Sequence, residues 1–499
     1  MIFSSFQYMI FLPVVLLLYW KLKGFPRLLL VVASSYFFYM SWIPAFGLLL
    51  FLLSTASWGL GLAIAKQKGK SPAAAKGLLI AGIVMNLACL CYYKYSNFFL
   101  QNVFAALGWV GVQMHDATLA ALKAPVLDVI LPLGISFFVF EFIHYLVDVY
   151  KGSPAVKSWM EFSAFAAFFP SQIAGPIKRY QEFESSLRNP LPWSASLFYE
   201  GMTLIVQGLF KKIAIADPIG WIIAPAYAAA APISALDAWV AFIGFSIQIF
   251  CDFSGYTDIG RGSALLMGIR LPLNFQIPYL AQDIAAFWRR WHISLSTWIR
   301  DYVYIPMGGS RCTHVEGLRN LFLTMTICGL WHGAAWQFIA WGSLHGLALI
   351  VNREWKRFLD KVAPGHSSDK ADTADAGMLS SLPVKIFNVC LTFLFVAACF
   401  VMFRAPDLPH TMNIFGSLFN FNLESASPEL LVKSGMTVFA LVYLGFWVLT
   451  DQLKIKLGRA MPSQLIYSLP VRLAAWTATI LFIIAAKPTQ ATPFIYFQF

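Results

Sequence analysis

The chain has 499 residues, of which 59% are hydrophobic, 16% aromatic and 12% charged, against roughly 45–50% apolar and about 25% charged residues in soluble domains, which excludes an ordinary cytosolic globule. Lys and Arg outnumber Asp and Glu by 36 to 24, a net charge of +12. That excess sits in short clusters between long apolar runs and builds no aromatic-interleaved basic surface, so it reads as membrane topology and argues against a nucleic-acid partner.

In chain order, residues 6–19 lack a basic stretch before them and a small-x-small cleavage site after them, so they read as a retained helix and not as a signal peptide. Lys21, Lys23 and Arg27 follow, and the next apolar runs, 28–42 and 45–64, end at Lys66, Lys68, Lys70 and Lys76. Two basic loops enclosing two crossings belong on the cytoplasmic side, which puts the N-terminus outside. A fourth run, 77–95, leads to an external stretch, 101–128, and a fifth, Val129 to Tyr150, returns to Lys151. Glu141, His144 and Asp148 on that fifth run share a helical face; a polar cap near the interface is expected there, and no metal. Phe162 to Pro176 is too short to span and ends in Ala174-Gly175-Pro176 before Lys178 and Arg179, the pattern of a re-entrant or interfacial segment.

Two runs follow at 198–226, interrupted by Lys211 and Lys212, and at 236–254. From Asp258 to Arg319 the apolar content drops and Arg261, Arg270, Arg289, Arg290, Arg300 and Arg311 crowd in, a large cytoplasmic-face segment. Phe287, Trp291, Leu295 and Trp298 recur there at helical spacing, which predicts one interfacial amphipathic helix carrying His292. Asn320 to Val351 has basic residues at both ends, yet its length falls short of two crossings of about 20 residues each. A hairpin or broken helix turning at Gly329-Leu330-Trp331-His332-Gly333 satisfies both facts and puts His332 at the bottom of a cavity. Residues 360–382 read as a polar cytoplasmic linker, and 384–403, 435–450 and 471–487 as further crossings that leave the C-terminus outside. The sum is one all-α polytopic transmembrane bundle over 1–499, with about 10–11 crossings plus re-entrant segments, the linker inside it and residues 384–499 forming C-terminal transmembrane helices.

His332 is the residue most suggestive of chemistry. An ionisable side chain in an apolar stretch is costly and marks function by default, the alternative being a core histidine bonded to a backbone carbonyl. An imidazole can take a proton from a hydroxyl and return it near neutral pH. His345 admits a structural reading, and His115, His314, His366 and His410 fall in polar or loop sequence. Gly-x-Ser-x-Gly, P-loop, dinucleotide and His-Glu-x-x-His signatures are absent. The seven cysteines form no Cys-x-x-Cys and read as small hydrophobes.

Five stretches carry a resemblance. They are Ile173 to Tyr180, Cys251 to Asp258, Phe287 to Ser296, Arg300 to Pro306 and Gly329-Leu330-Trp331-His332-Gly333-Ala334-Ala335-Trp336. Together, and over nearly the whole chain, the sequence resembles the membrane-bound O-acyltransferases, in particular their bacterial alginate O-acetylation branch. The resemblance implies a helical bundle with a central funnel or tunnel, His332 as the catalytic histidine and His292 as a second conserved polar position. It further implies an acetyl donor arriving from the cytoplasm, acetyl-CoA or an acyl carrier protein, with no bound cofactor. Trp288, Arg289, Arg290, Arg300 and Trp331, with Gly175, Pro176 and Arg179, are the expected donor and substrate contacts. The implied setting is the bacterial inner membrane, in contact with lipid, beside periplasmic SGNH-type acetyltransferases and polysaccharide secretion proteins. Ser171-Gln172, Glu141 and His144 depart from the pattern and leave the acceptor open. A carrier-dependent transferase of the D-alanyl type keeps the same chemistry; a non-enzymatic transporter is the rival class, against which stands the lack of internal symmetry.

Overall fold

The computed structural model describes residues 1–109, 129–173, 175–362, 381–421, 469–486 and 494–495, and among these every regular element is helical. The apolar runs at the start become α1 (Phe6–Lys21), α2 (Gly24–Met40) and α3 (Pro44–Lys68). Pro44 opens α3 in its first turn, where the missing N–H has no helical partner to lose. Helix α4 (Pro72–Trp109) continues well past residue 95, where the hydropathy reading stopped it. The polar residues responsible for that reading bond to the helix itself, as Ser96 Oγ to Tyr92 O (2.6 Å) and Asn102 Nδ2 to Phe98 O (2.7 Å) do.

Helix α5 (Ile135–Lys151) is buried along almost its full length. After α6 (Trp159–Ala167) the chain leaves helical geometry from Phe168 to Ile173, every residue of it buried, and regains it in α7 (Tyr180–Arg188). Buried non-helical backbone must find side-chain partners: Phe169 N donates to Ser35 Oγ, Ile177 N to Ser294 Oγ, and Lys178 N to Glu141 Oε1. This is the stretch read as re-entrant.

The run at 198–226 is one rod made of α8 (Ala195–Leu209), a wide π turn (Phe210–Ala216) and α9 (Asp217–Ala228). Its two lysines, which seemed to interrupt it, are ion-paired within the protein. Lys211 meets Asp258 at 2.6 Å, and Lys212 meets Asp217 at 2.8 Å and Asp252 at 2.9 Å. Helix α10 (Ala235–Leu266) carries two of those three carboxylates. It extends beyond Asp258, so the arginine-rich segment begins later than the apolar content suggests. A methyl added at Gly255 would stand 2.8 Å from Gly208 O, and one at Gly262 2.6 Å from Gly201 O. Close approach of backbones through small residues is how helices pack where lipid removes the hydrophobic drive.

The expected single amphipathic helix is two, α11 (Ile284–Arg290) and α12 (Ile293–Ile299), the second running on into a π turn (Arg300–Tyr304). Then come the hairpin arms α13 (His314–His332) and α14 (Trp336–Val362), followed by α15 (Leu382–Arg404), α16 (Leu408–Ser417) and α17 (Leu469–Ala486). Residues 360–362 of the expected linker belong to α14; residues 363–380 and the expected crossing at 435–450 lie outside the described residues.

Helices α3, α10 and α15 and residues Pro72–Leu107 of α4 are long and apolar enough to cross a bilayer, and α1, α2 and Trp476–Ala486 are shorter apolar helices. Large apolar side chains such as Phe6, Leu17, Phe37 and Leu48 are exposed on the outside of the bundle, as a lipid-facing surface requires. The protein is an all-α membrane helical bundle. Near the other end of the chain, Phe494 and Ile495 are buried in it, Phe494 against Tyr256 with ring centroids 4.3 Å apart and Ile495 N donating to Asp252 Oδ2 at 2.8 Å.

Candidate active site

His332 is the last residue of α13 and is 4% exposed. The helix begins with a capping box, Thr313 and Glu316 bonding each other's backbone N–H. Its C-terminus has no left-handed cap, because Gly333 is extended (φ −162°). The carbonyls so exposed are satisfied from α4 instead. Tyr95 Oη donates to Leu330 O at 2.8 Å, and Lys94 Nζ to Trp331 O at 2.6 Å and His332 O at 2.9 Å. Trp336 Nε1, opening α14, donates to Asn102 Oδ1 of α4 at 2.9 Å. The two hairpin arms touch through glycine: a methyl at Gly329 would overlap Phe338 O and stand 2.9 Å from Gly342 Cα. The turn falls at Gly333–Ala335, slightly later than the sequence suggested.

The imidazole of His332 lies among Trp331, Trp341 and Phe403, with ring centroids 5.0, 5.0 and 5.3 Å away. His292 also packs on Trp331, at 6.3 Å. It is wholly buried, which corrects its expected place on an interfacial helix. Its φ of 43° is left-handed, rare for a non-glycine residue, and breaks the helical path between α11 and α12. Asn274 holds this break: its Oδ1 lies 3.3 Å from His292 Nδ1 and accepts from Ser294 N and Ser294 Oγ, while its carbonyl accepts from Ile293 N. Ser294 Oγ in turn accepts from Ile177 N, which ties the turn carrying Gly175 and Pro176 to the His292 segment.

A basic cavity of about 1050 Å³ opens on the polar side of the hairpin. Of the predicted contacts, Trp288, Arg289 and Arg300 line it, joined from α14 by Arg353, Lys356 and Arg357. Those last three were read only as a topological flank; their shared helical face, three and four residues apart, was the available signal. Of the other five predicted contacts, Trp331 lines the small cavity beside His332 and four lie away from both. Arg290 Nη1 donates to Leu280 O at 3.5 Å, in the loop before α11, and its backbone carbonyl accepts from Gln276 N. Arg179 pairs with Asp301 at 2.8 Å over the ring of Tyr302. Gly175 and Pro176 are buried in the non-helical turn, where a side chain at 175 would run into Ser171. Asp283 caps α11 and meets Lys356 at 3.1 Å. Burial alone would raise its carboxyl, but the Ala286 N–H, Lys356 and Arg289 outweigh that and hold it below the usual carboxylate range.

Between this cavity and His332 stands a layer of rings, Trp288 against His345 at 5.3 Å, His345 against Trp341 at 4.6 Å, and Trp341 against His332. The indole N–H groups of Trp288 and Trp341 and both nitrogens of His345 are buried without a hydrogen-bond partner among the described residues. Such groups are costly in a core. On its other side His332 lines a cavity of about 90 Å³ with Trp331, Lys94, Trp42 and Phe137.

Glu141 of α5 is bound to Lys178 Nζ at 2.7 and 2.9 Å, and Asp148 accepts from Tyr302 Oη and Gln181 Nε2. The described residues hold no group of three or more His, Cys, Asp or Glu able to bind a metal.

A membrane bundle with a buried histidine, a basic cavity and a second, small cavity defines a class, and residues 75–379 match the sequence profile of the membrane-bound O-acyltransferase family. The chain belongs to that family and is an acyltransferase, with an acyl donor among its substrates. It is 35% identical over the full length of both chains to the "Probable alginate O-acetylase AlgI" of Pseudomonas putida. It is 34% identical to the "Peptidoglycan O-acetyltransferase" of Helicobacter pylori, over 83% of this chain and 78% of that one. To the "Teichoic acid D-alanyltransferase" of Streptococcus thermophilus it is 29% identical, over 54% of this chain and 68% of that one.

Proposed function

We propose that this protein is an O-acetyltransferase of the bacterial inner membrane that takes acetyl from acetyl-CoA on the cytoplasmic side and delivers it across the membrane for O-acetylation of an exopolysaccharide such as alginate. The observation that carries this reading is His332 in the wall of a small cavity, separated by a layer of rings from a basic cavity of nucleotide size. In it, the phosphates of the donor rest against Arg289, Arg300, Arg353 and Lys356, whose guanidinium and ammonium groups suit them. The thioester arm reaches past Trp288 and Trp341 to His332.

His332 takes the proton of the acceptor hydroxyl as its oxygen attacks the thioester carbonyl. When the C–S bond breaks, the imidazolium returns that proton to the thiolate, so acetyl thioester and alcohol give acetyl ester and thiol. His292, across Trp331, orients the reactants or hydrogen-bonds the tetrahedral oxyanion. The whole chain, 1–499, acts as one transmembrane domain with both termini periplasmic, alongside SGNH-type acetyltransferases and secretion proteins.

The test is purified protein in detergent with radiolabelled acetyl-CoA, wild type beside His332→Ala, following free CoA and protein-bound label. Release of CoA by wild type and its loss in the variant support the reading. Equal release from both overturns His332 as the base, and release from neither moves the donor to an acyl carrier protein of the kind a D-alanyl transfer uses.

A further inference from the structure

Lys94 sits in the part of α4 that is apolar and long enough to span a membrane. A lysine there is expensive, and long lysines near helix ends usually snorkel toward water. This one turns inward. Its Nζ meets Trp331 O and His332 O, 237 and 238 residues away in sequence, and lies 5.7 Å from the centroid of the Trp331 ring. Among the described residues it meets no carboxylate; the negative ends of carbonyl dipoles at a helix C-terminus stand in for one. An ammonium has three N–H donors. Two are used on those carbonyls, and the third is left for the cavity that Lys94 and His332 line together.

We propose that Lys94 is the acceptor-side cation of the transfer reaction: it ties down the backbone that carries His332 and gives its remaining N–H to the negative charge that develops on the thioester carbonyl oxygen. This rests on His332 being the reaction centre. Attack by the acceptor oxygen moves the carbonyl electron pair onto oxygen beside the ammonium. Collapse returns the pair, expels the thiolate and leaves Lys94 in its starting state, so the lysine neither gains nor loses a proton. A positive charge held in place before the reaction stabilises that oxyanion without reorganising. The chemistry also sets what the small cavity takes: a hydroxyl-bearing acceptor that presents oxygen and no cation of its own.

The test uses the full-length chain in bacterial cells lacking their own copy, with ester-linked acetate on secreted polysaccharide as the readout. Membrane abundance and thermal stability in detergent are checked for every variant. Lys94→Met lowers esterification by about 100-fold, the scale for loss of one oxyanion donor, and Lys94→Arg, which keeps the charge, recovers a large part of it. With purified protein and acetyl-CoA, the loss in Lys94→Met falls on kcat while the donor KM holds. Lys94→Met above half the wild-type ester content, or Lys94→Arg no better than Lys94→Met, overturns the proposal. If His332→Ala itself keeps wild-type esterification, the reading of His332 is what fails. The tether is then judged by diethyl pyrocarbonate: Lys94→Met must raise modification of His332 several-fold over wild type, and an unchanged rate overturns the tether too.

Discussion

The contact between the two hairpin arms can be tested by one methyl group. Gly329→Ala puts a Cβ onto Phe338 O and 2.9 Å from Gly342 Cα and N. Carbon contacts settle at about 3.5–4.0 Å, so the Gly342 contact alone separates the arms by roughly 0.6–1.1 Å, and the overlap with Phe338 O by no less. Overpacking of this kind costs about 1–3 kcal/mol of stability. The larger effect is on function, because His332 lies three residues along the same helix and moves with it. A misplacement of about 1 Å costs on the order of 100-fold in rate, which is about 2.7 kcal/mol in the barrier. The assay is thiol release from acetyl-CoA by purified protein, together with the thermal midpoint in detergent. Gly77→Ala is the control, since a methyl there meets nothing within 4 Å and replaces the poorer helix former, so it leaves activity unchanged. Wild-type turnover in Gly329→Ala, with an unchanged midpoint, would refute the claim that glycine contact fixes His332.

Two other sites give separate expectations. Lys212→Met leaves Asp217 and Asp252 buried without their shared cation, a loss of about 3–5 kcal/mol, to be read as a lower thermal midpoint in detergent; a midpoint equal to wild type would count against the buried triad. Arg353→Ala and Lys356→Ala each remove one charge from the wall of the basic cavity. A partly solvated contact of about 1 kcal/mol raises the KM for acetyl-CoA by about 5-fold with kcat kept, and the effect shrinks at high salt. A change in kcat alone would place the donor phosphates elsewhere.

His292 shows why some of the site was hidden in the sequence. Phe287, Trp291, Leu295 and Trp298 do recur at helical spacing, but a single left-handed residue between them breaks the path and turns the ring inward. The hydrogen bonds that hold it there come from Asn274 and reach through Ser294 to the turn after Pro176, and no local period records such bonds. Lys211 and Lys212 misled in the opposite way. Taken alone they interrupt a span, whereas the facing carboxylates of α10 make them part of it.

The membrane class, the hairpin and the basic face follow from local rules. Runs of apolar residues near the length of a bilayer gave the membrane class. Basic residues on both sides of a run too short for two crossings gave the hairpin with His332 near its turn, and clustered arginines marked a basic face. These are legible because hydropathy, charge and helical period act between residues close together in the chain. Long-range packing sets which arginines face one cavity, that Trp288, His345 and Trp341 form the layer before His332, and that Lys94 holds its backbone. Those facts depend on helices far apart in sequence meeting at fixed distances, and a buried polar group finds its partner across such contacts because the membrane interior offers no water to serve instead.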